Sequence, residues 1–166
     1  MKIVLRKWKM SDADALAKIA NNKNIAVNLR DLFPSPYKKK NAREWIGLVK
    51  KQKINTNFCI EADGKIAGSI GFVLKEDVYR KNIEIGYFIG EEFWNKGVAT
   101  EAIRQIVEHI ENNFEVVRIY AEVFGRNKAS MRALEKNGFY LEVVRKKAVV
   151  KNGVVMDDHV WVKLLK

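Results

Sequence analysis

A chain of 166 residues that is 48% hydrophobic and 31% charged has the balance of a soluble globular protein, long enough for one domain with a core. No apolar run reaches the roughly 18 residues that a bilayer crossing needs. With one cysteine (Cys59) and two histidines (His109 and His159), neither an internal disulfide nor a cluster of metal ligands is expected. The formal net charge of +11 favours anionic partners: nucleic acid, a ribosome surface or a polyphosphate cofactor. The basic residues are nonetheless dispersed (38–40, 50–51, 145–147), as on an ordinary solvated surface.

The opening M-K-I-V-L-R-K-W-K sets charges on both sides of a short apolar run and lacks the apolar region of a signal peptide. Cys59 lies in an apolar run and reads as a buried thiol, so a cytoplasmic setting is expected. Ile3 to Trp8 predicts a first strand. Ser11 stands as an N-cap, with Asp14 three residues on, for a helix to about Asn21. Asn24 to Phe33 begins apolar and is then broken by R-D-L-F-P-S-P. Ser35-Pro36 reads as cap and first residue of a second helix carrying Ala42, Trp45, Ile46 and Val49, to about Lys53. Phe58 to Ala62 and Lys65 to Lys75 predict strands around an Asp63-Gly64 hairpin turn.

From Asn82 to Gly90 the period is two: Ile83, Ile85, Tyr87 and Ile89 alternate with Glu84, Gly86 and Phe88. From Val98 the period is helical, through Ala102, Ile103, Ile106, Val107 and Ile110. Val116 to Phe124 is a strand, Asn127 to Lys136 a short helix with Gly138 as its C-terminal cap, and Phe139–Val150 and Val154–Leu165 a final hairpin about Asn152-Gly153. The order β-α-α-β-β-β-α-β-α-β-β is mixed α/β of the α+β type, with adjacent hairpins rather than a doubly wound alternation. No repeat, linker or low-complexity segment interrupts 1–166, which reads as a single domain.

The joint at Phe93 to Ala102 is the chemically suggestive stretch. The first turn of a helix leaves backbone N–H groups unpaired, and the helix dipole adds partial positive charge there. Gly97 has no side chain to hold a ligand away, and Ala99 is small. The stretch is either an anion cradle for a phosphate or pyrophosphate on the amides of Asn95 to Thr100, or an ordinary strand–loop–helix connection.

Three stretches resemble the GCN5-related N-acetyltransferase (GNAT) superfamily, and within it the branch that includes the ribosomal-protein N-terminal acetyltransferases. They are N-I-E-I-G-Y-F-I-G with F-W-N-K-G-V-A-T-E-A, the N-x-x-S-x-x-x-L-E-K-x-G-F run from Asn127 to Phe139, and K-N-G-V-V-M-D-D-H-V-W near the C-terminus. The resemblance implies a central mixed, mostly antiparallel sheet of about seven strands flanked by about four helices. It implies acetyl-CoA as acyl donor and no metal. Asn95, Lys96, Gly97, Val98, Ala99 and Thr100 would hold the pyrophosphate. The backbone of Tyr87, Phe88 and Ile89 would pair with the pantetheine arm and acetyl carbonyl, and Asn127 would contact CoA through its amide. The family loop usually begins with Gln or Arg, where this chain has Trp94. Many members place a tyrosine acid where this chain has Leu134; relatives in this branch have a serine at the position of Ser130, and the resemblance makes it the candidate donor to the thiolate.

The resemblance also makes Glu84 the candidate base, since the strand next to the thioester site often carries such a glutamate in the superfamily, provided that no bulge reverses its face. Asp157 and Asp158 are secondary candidates for steering a cationic amine. The acceptor implied is a primary amine: a protein N-terminal α-amine, or a small molecule such as a polyamine or antibiotic. Asn24 to Tyr37 and the C-terminal hairpin would form much of its groove. The ribosome is among the candidate partners, a membrane is not, and the chain would act as monomer or homodimer. A non-enzymatic basic module that binds nucleic acid or ribosome is the competing class; it would not require Gly97, Ala99 and Asn127 in their places.

Overall fold

Secondary structure follows the expected alternation of hydrophobic periods. The computed structural model describes residues 1–166. The strands are β1 (Ile3–Lys7), β2 (Asn57–Ala62), β3 (Lys65–Leu74), β4 (Asn82–Ile89), β5 (Arg118–Phe124), β6 (Tyr140–Lys151) and β7 (Val154–Leu164). The helices are α1 (Ala13–Ala20), α2 (Lys23–Ala26), α3 (Lys39–Lys50), α4 (Val98–Asn113) and α5 (Lys128–Glu135). The seven strands form one sheet in the order β1-β2-β3-β4-β5-β7-β6. Pairing is antiparallel at β1/β2, β2/β3, β5/β7 and β6/β7, and parallel at β4/β5. The mixed, mostly antiparallel seven-stranded sheet is thus as expected. The helix beyond the expected four is the single-turn α2, inside the stretch whose pattern was ambiguous.

The chain separates into two compact units, Met1–Gly71 with Tyr87–Val98, and Phe72–Gly86 with Ala99–Lys166. In the first, Trp8, Leu16, Tyr37, Ala42, Ile46, Val49 and Cys59 form a buried cluster, with Phe33, Trp45 and Phe88 packed against it. In the second, Ile83, Ile103, Ile106, Ile110, Ile119, Leu134 and Val162 are fully buried. Strand β5 shows why: Ile119, Ala121 and Val123 turn inward, while Arg118, Tyr120, Glu122 and Phe124 stay half-exposed on the other face.

Two helix starts differ from expectation. Asp12, not Ser11, is the N-cap of α1, behind a 3-10 turn at Met10–Asp12. Its carboxylate accepts the Lys9 N–H at 2.8 Å and takes both Arg6 terminal nitrogens, at 2.8 and 3.0 Å. That ionic anchor on β1 outweighs the local preference of a serine. Nor does Ser35-Pro36 open a helix. Tyr37 is buried, and its N–H donates to Asn21 Oδ1 at 3.0 Å, which holds the chain in place there. The helix begins at Lys39, where the Asn41 side chain accepts the Lys38 N–H at 2.8 Å. The two predicted hairpin turns form with left-handed residues, Asp63-Gly64 at φ 47° and 79° and Asn152-Gly153 at 51° and 75°.

Candidate active site

The end of β4 belongs to the first unit. Gly68 on β3 faces it so closely that an added Cβ would lie 2.2 Å from the Phe88 carbonyl oxygen and 3.1 Å from Ile89 Cα. Only a glycine admits that approach. The Gly90 N–H then donates to the Ala67 carbonyl at 2.7 Å. The Phe88 ring packs on Phe33 with centroids 5.4 Å apart, and Tyr87 is half-buried.

Beyond β4 a 3-10 turn, Glu91–Phe93, leads into the loop. The Trp94 indole N–H reaches back to the Ile89 carbonyl at 2.8 Å, and the Lys96 ammonium donates to the Glu92 carbonyl at 2.7 Å. Glu91 accepts the side-chain amides of Asn22 and Asn24, the latter at 3.1 Å. Asn95 and Gly97 are both left-handed, at φ 59° and 78°, and α4 begins directly after them at Val98, which is buried. No atom lies within 4 Å of where a Gly97 Cβ would stand.

In the second unit, Ala99 and Thr100 lie half-buried in the first turn of α4. The Asn137 side-chain amide donates to the Thr100 carbonyl at 3.0 Å and to the Ala133 carbonyl at 2.9 Å, tying that turn to the end of α5. Asn127 is the N-cap of α5: its Oδ1 accepts the Ser130 N–H at 3.2 Å. Asn127 and Ser130 are thereby brought into one turn. The capping role uses the Asn127 oxygen and leaves its NH₂ as the group it can offer a ligand.

Glu84 stands on β4 opposite Tyr120 of β5. Its Oε2 accepts from the Lys75 ammonium at 2.6 Å and from the Tyr120 hydroxyl at 3.3 Å. The Glu84 hydrogen bond is the main cause that raises the Lys75 ammonium above its ordinary value, and burial raises the Tyr120 phenol. The two C-terminal aspartates separate. Asp157 accepts the Lys147 N–H at 2.9 Å and the Lys146 ammonium at 3.0 Å, at an irregularity in β6 between Arg145 and Val149. Asp158 is buried and pairs with Arg145, which also contacts Glu122 Oε1 at 2.8 Å.

Sequence reasoning passed over Lys75, Tyr120, Glu122, Arg145 and Asn137. Glu122 was within reach, because it follows Tyr120 by two residues on a strand of clear alternation. The partners of Glu84 and the Asn137 bridge lie on other elements and leave no local signal. No group of three His, Cys, Asp or Glu side chains could hold a metal ion, and no helix is long and apolar enough to cross a membrane.

A family model described as the acetyltransferase (GNAT) domain matches residues 2–140. Over 75 residues the chain is 44% identical to a Bacillus subtilis (strain 168) protein named "Probable N-acetyltransferase YjcK", a match spanning 45% of this chain and 41% of that protein. It is 26% identical over 108 residues to the ribosomal-protein-serine acetyltransferase of Escherichia coli (strain K12), covering 65% of this chain and 60% of that one. Among solved structures, the microcin C7 self-immunity acetyltransferase MccE, in complex with acetyl-CoA and AMP, superposes with a TM-score of 0.85 at 25% identity. That match covers 99% of this chain and 93% of MccE.

Proposed function

The chain belongs to the GNAT acetyltransferase family and is by that membership an N-acetyltransferase, and we propose that it transfers acetyl from acetyl-CoA to a protein N-terminal α-amine. The observation that carries the donor half is the loop before α4. Two left-handed residues, Asn95 and Gly97, turn the chain immediately ahead of a 16-residue helix, with open space over Gly97. An anion there meets unpaired N–H groups and the positive end of the helix dipole. On this reading Asn95 to Thr100 hold the pyrophosphate and the Asn127 NH₂ adds a contact. An acetyl carbonyl oxygen accepts only from donors, so the backbone N–H groups of Tyr87 to Ile89 are the ones assigned to it, where they would stabilise the oxyanion.

The reaction is direct. A neutral amine attacks the thioester carbon and gives up one proton to the base, the tetrahedral oxyanion collapses, and the C–S bond breaks to give amide and CoA thiolate. Ser130 is assigned to donate to the thiolate. Cys59 is buried and its thiol is pushed up to about 12 by burial, which suits a mechanism without a cysteine nucleophile. The acceptor half rests on Glu84. The oxygen Oε2 of this candidate base accepts from Lys75 and Tyr120, which hold the carboxylate in place. An α-amine asks less of its base than a lysine does: with a pKa near ~7.8 against ~10.4, it is about 3.5 kcal/mol easier to deprotonate. The E. coli relative named ribosomal-protein-serine acetyltransferase is in keeping with a protein acceptor.

The test offers two peptides with acetyl-CoA, one with a free N-terminal serine, the other Nα-blocked with one internal lysine. Free thiol and peptide mass are followed. The first should be acetylated and the second not; reaction only at lysine, or only with small amines, overturns the acceptor assignment. In the same assay Glu84→Gln and Ser130→Ala should each lower kcat, by about 10²-fold for a group that moves a proton.

A further inference from the structure

We propose that Glu122 and Asp158, bridged by Arg145, form a subsite for a second positive charge on the acceptor, so that the favoured substrate is a peptide N-terminus followed by a basic side chain. This rests on the α-amine reading and names its substrate class more closely.

The three groups share one sheet face. Phe124 and Asp158 are cross-strand partners, as are Glu122 and Val160 two residues along, and Arg145 on β6 lies opposite Asp158. Asp158 is 3% exposed, yet its Oδ1 has no hydrogen-bond donor. The chain's other buried arginine–aspartate pair shows how a purely structural pair is built: Arg6 places one nitrogen on each Asp12 oxygen, at 2.8 and 3.0 Å. Arg145 instead turns both its Nε and its Nη2 onto Oδ2, and shares Nη2 with Glu122. A buried carboxylate oxygen left without a donor is costly, and the carboxylate that carries it shares the Arg145 Nη2 with a second one.

Charge agrees with geometry. Glu122 and Asp158 share one guanidinium, in a chain of net charge +11. Lys75 is engaged with Glu84, and Arg118 with Glu142. Arg145 is the most exposed member, with 45% of its side chain accessible. An incoming ammonium would take Oδ1 and Glu122, while Arg145 releases Glu122 and keeps Oδ2. Asp157 takes no part, since it holds the neighbouring Lys146–Lys147 segment.

The spacing fits a peptide. Tyr120 stands opposite Glu84, Glu122 lies two residues further along β5, and the Phe124–Asp158 pair four. At about 3.3 Å per residue the subsite lies roughly 7–13 Å along the strand from Glu84. A basic side chain at the second position of an extended acceptor spans that range.

The experiment compares two heptapeptides that differ only at position 2, lysine against norleucine. Each is titrated calorimetrically into the CoA-bound protein and separately assayed with acetyl-CoA. Wild type should bind the lysine peptide about tenfold more tightly at low salt, with the advantage shrinking as salt rises. Asp158→Asn and Glu122→Gln should each remove the advantage of the lysine peptide over the norleucine peptide, with melting curves to confirm folding. Equal binding of the two peptides by wild type overturns the subsite, as does a variant that weakens both alike. If Asp158→Asn does not fold, the wild-type comparison and Glu122→Gln decide. Acetylation of both peptides without preference sinks the subsite and keeps the α-amine reading. Preferential binding without acetylation of either does the reverse.

Discussion

Replacing Gly97 by valine separates the conformational role of this glycine from its proposed ligand role. At φ 78° a β-branched side chain is strained, but no neighbour lies within 4 Å of the added Cβ. The cost to the unliganded enzyme is therefore conformational only, about 1–3 kcal/mol. For a chain of this size, where 1 kcal/mol moves Tm by about 2–4 °C, that is a fall of roughly 2–12 °C. Acetyl-CoA at a hundred times its Kd should stabilise wild type by about 2.7 kcal/mol, or roughly 5–11 °C. Gly97→Val should lose most of that increment, because the isopropyl group enters the space assigned to the pyrophosphate. Gly64 supplies the control. It too is left-handed, at φ 79°, with nothing within 4 Å, but it sits in the β2–β3 hairpin turn. Gly64→Val should cost similar stability and keep the full acetyl-CoA increment. Thermal melts with and without acetyl-CoA read both quantities. A Gly97→Val enzyme with the wild-type increment would refute the placement of the donor on this loop.

Two further outcomes concern the scaffold. Gly68→Ala puts a Cβ 2.2 Å from the Phe88 carbonyl oxygen, a backbone atom that cannot swing aside; denaturant titration should show a loss of about 1–3 kcal/mol or more, and a neutral result would refute the β3–β4 spacing. Asp12 governs the acid limb of stability. Burial works against its charged form, but the Arg6 hydrogen bonds and the Lys9 N–H prevail, and its pKa falls below the ordinary 3.8. A depressed folded-state pKa stabilises fully above the unfolded value and loses that contribution as pH falls through the folded one. Asp12→Asn should therefore be less stable than wild type at pH 7, and the gap should narrow below about pH 4; a gap independent of pH would contradict this.

What the chain determined locally, it determined well. A two-residue period marked β4, and a helical period marked α4, because each depends only on which side chains must leave water. Asp63-Gly64, Asn152-Gly153 and Gly97 take the left-handed conformations that their residue types favour. Asn127 caps α5 through a bond to a residue three positions on. None of these needs a partner from afar. The tertiary structure decided the matters in which distant groups compete with local ones. Ser11 and Pro36 carried good helix-start signals, and both were overridden, by the Arg6–Asp12 pair and by Tyr37 bonded to Asn21. The alternation placed Glu84 on a face, but only folding brought Lys75 and Tyr120 to its oxygen. Asp157 and Asp158 are adjacent and chemically identical. Strand pleating turned one to the irregularity in β6 and the other into a buried cluster with Glu122, because neighbours along a strand face opposite sides of a sheet whose order no short stretch of sequence encodes.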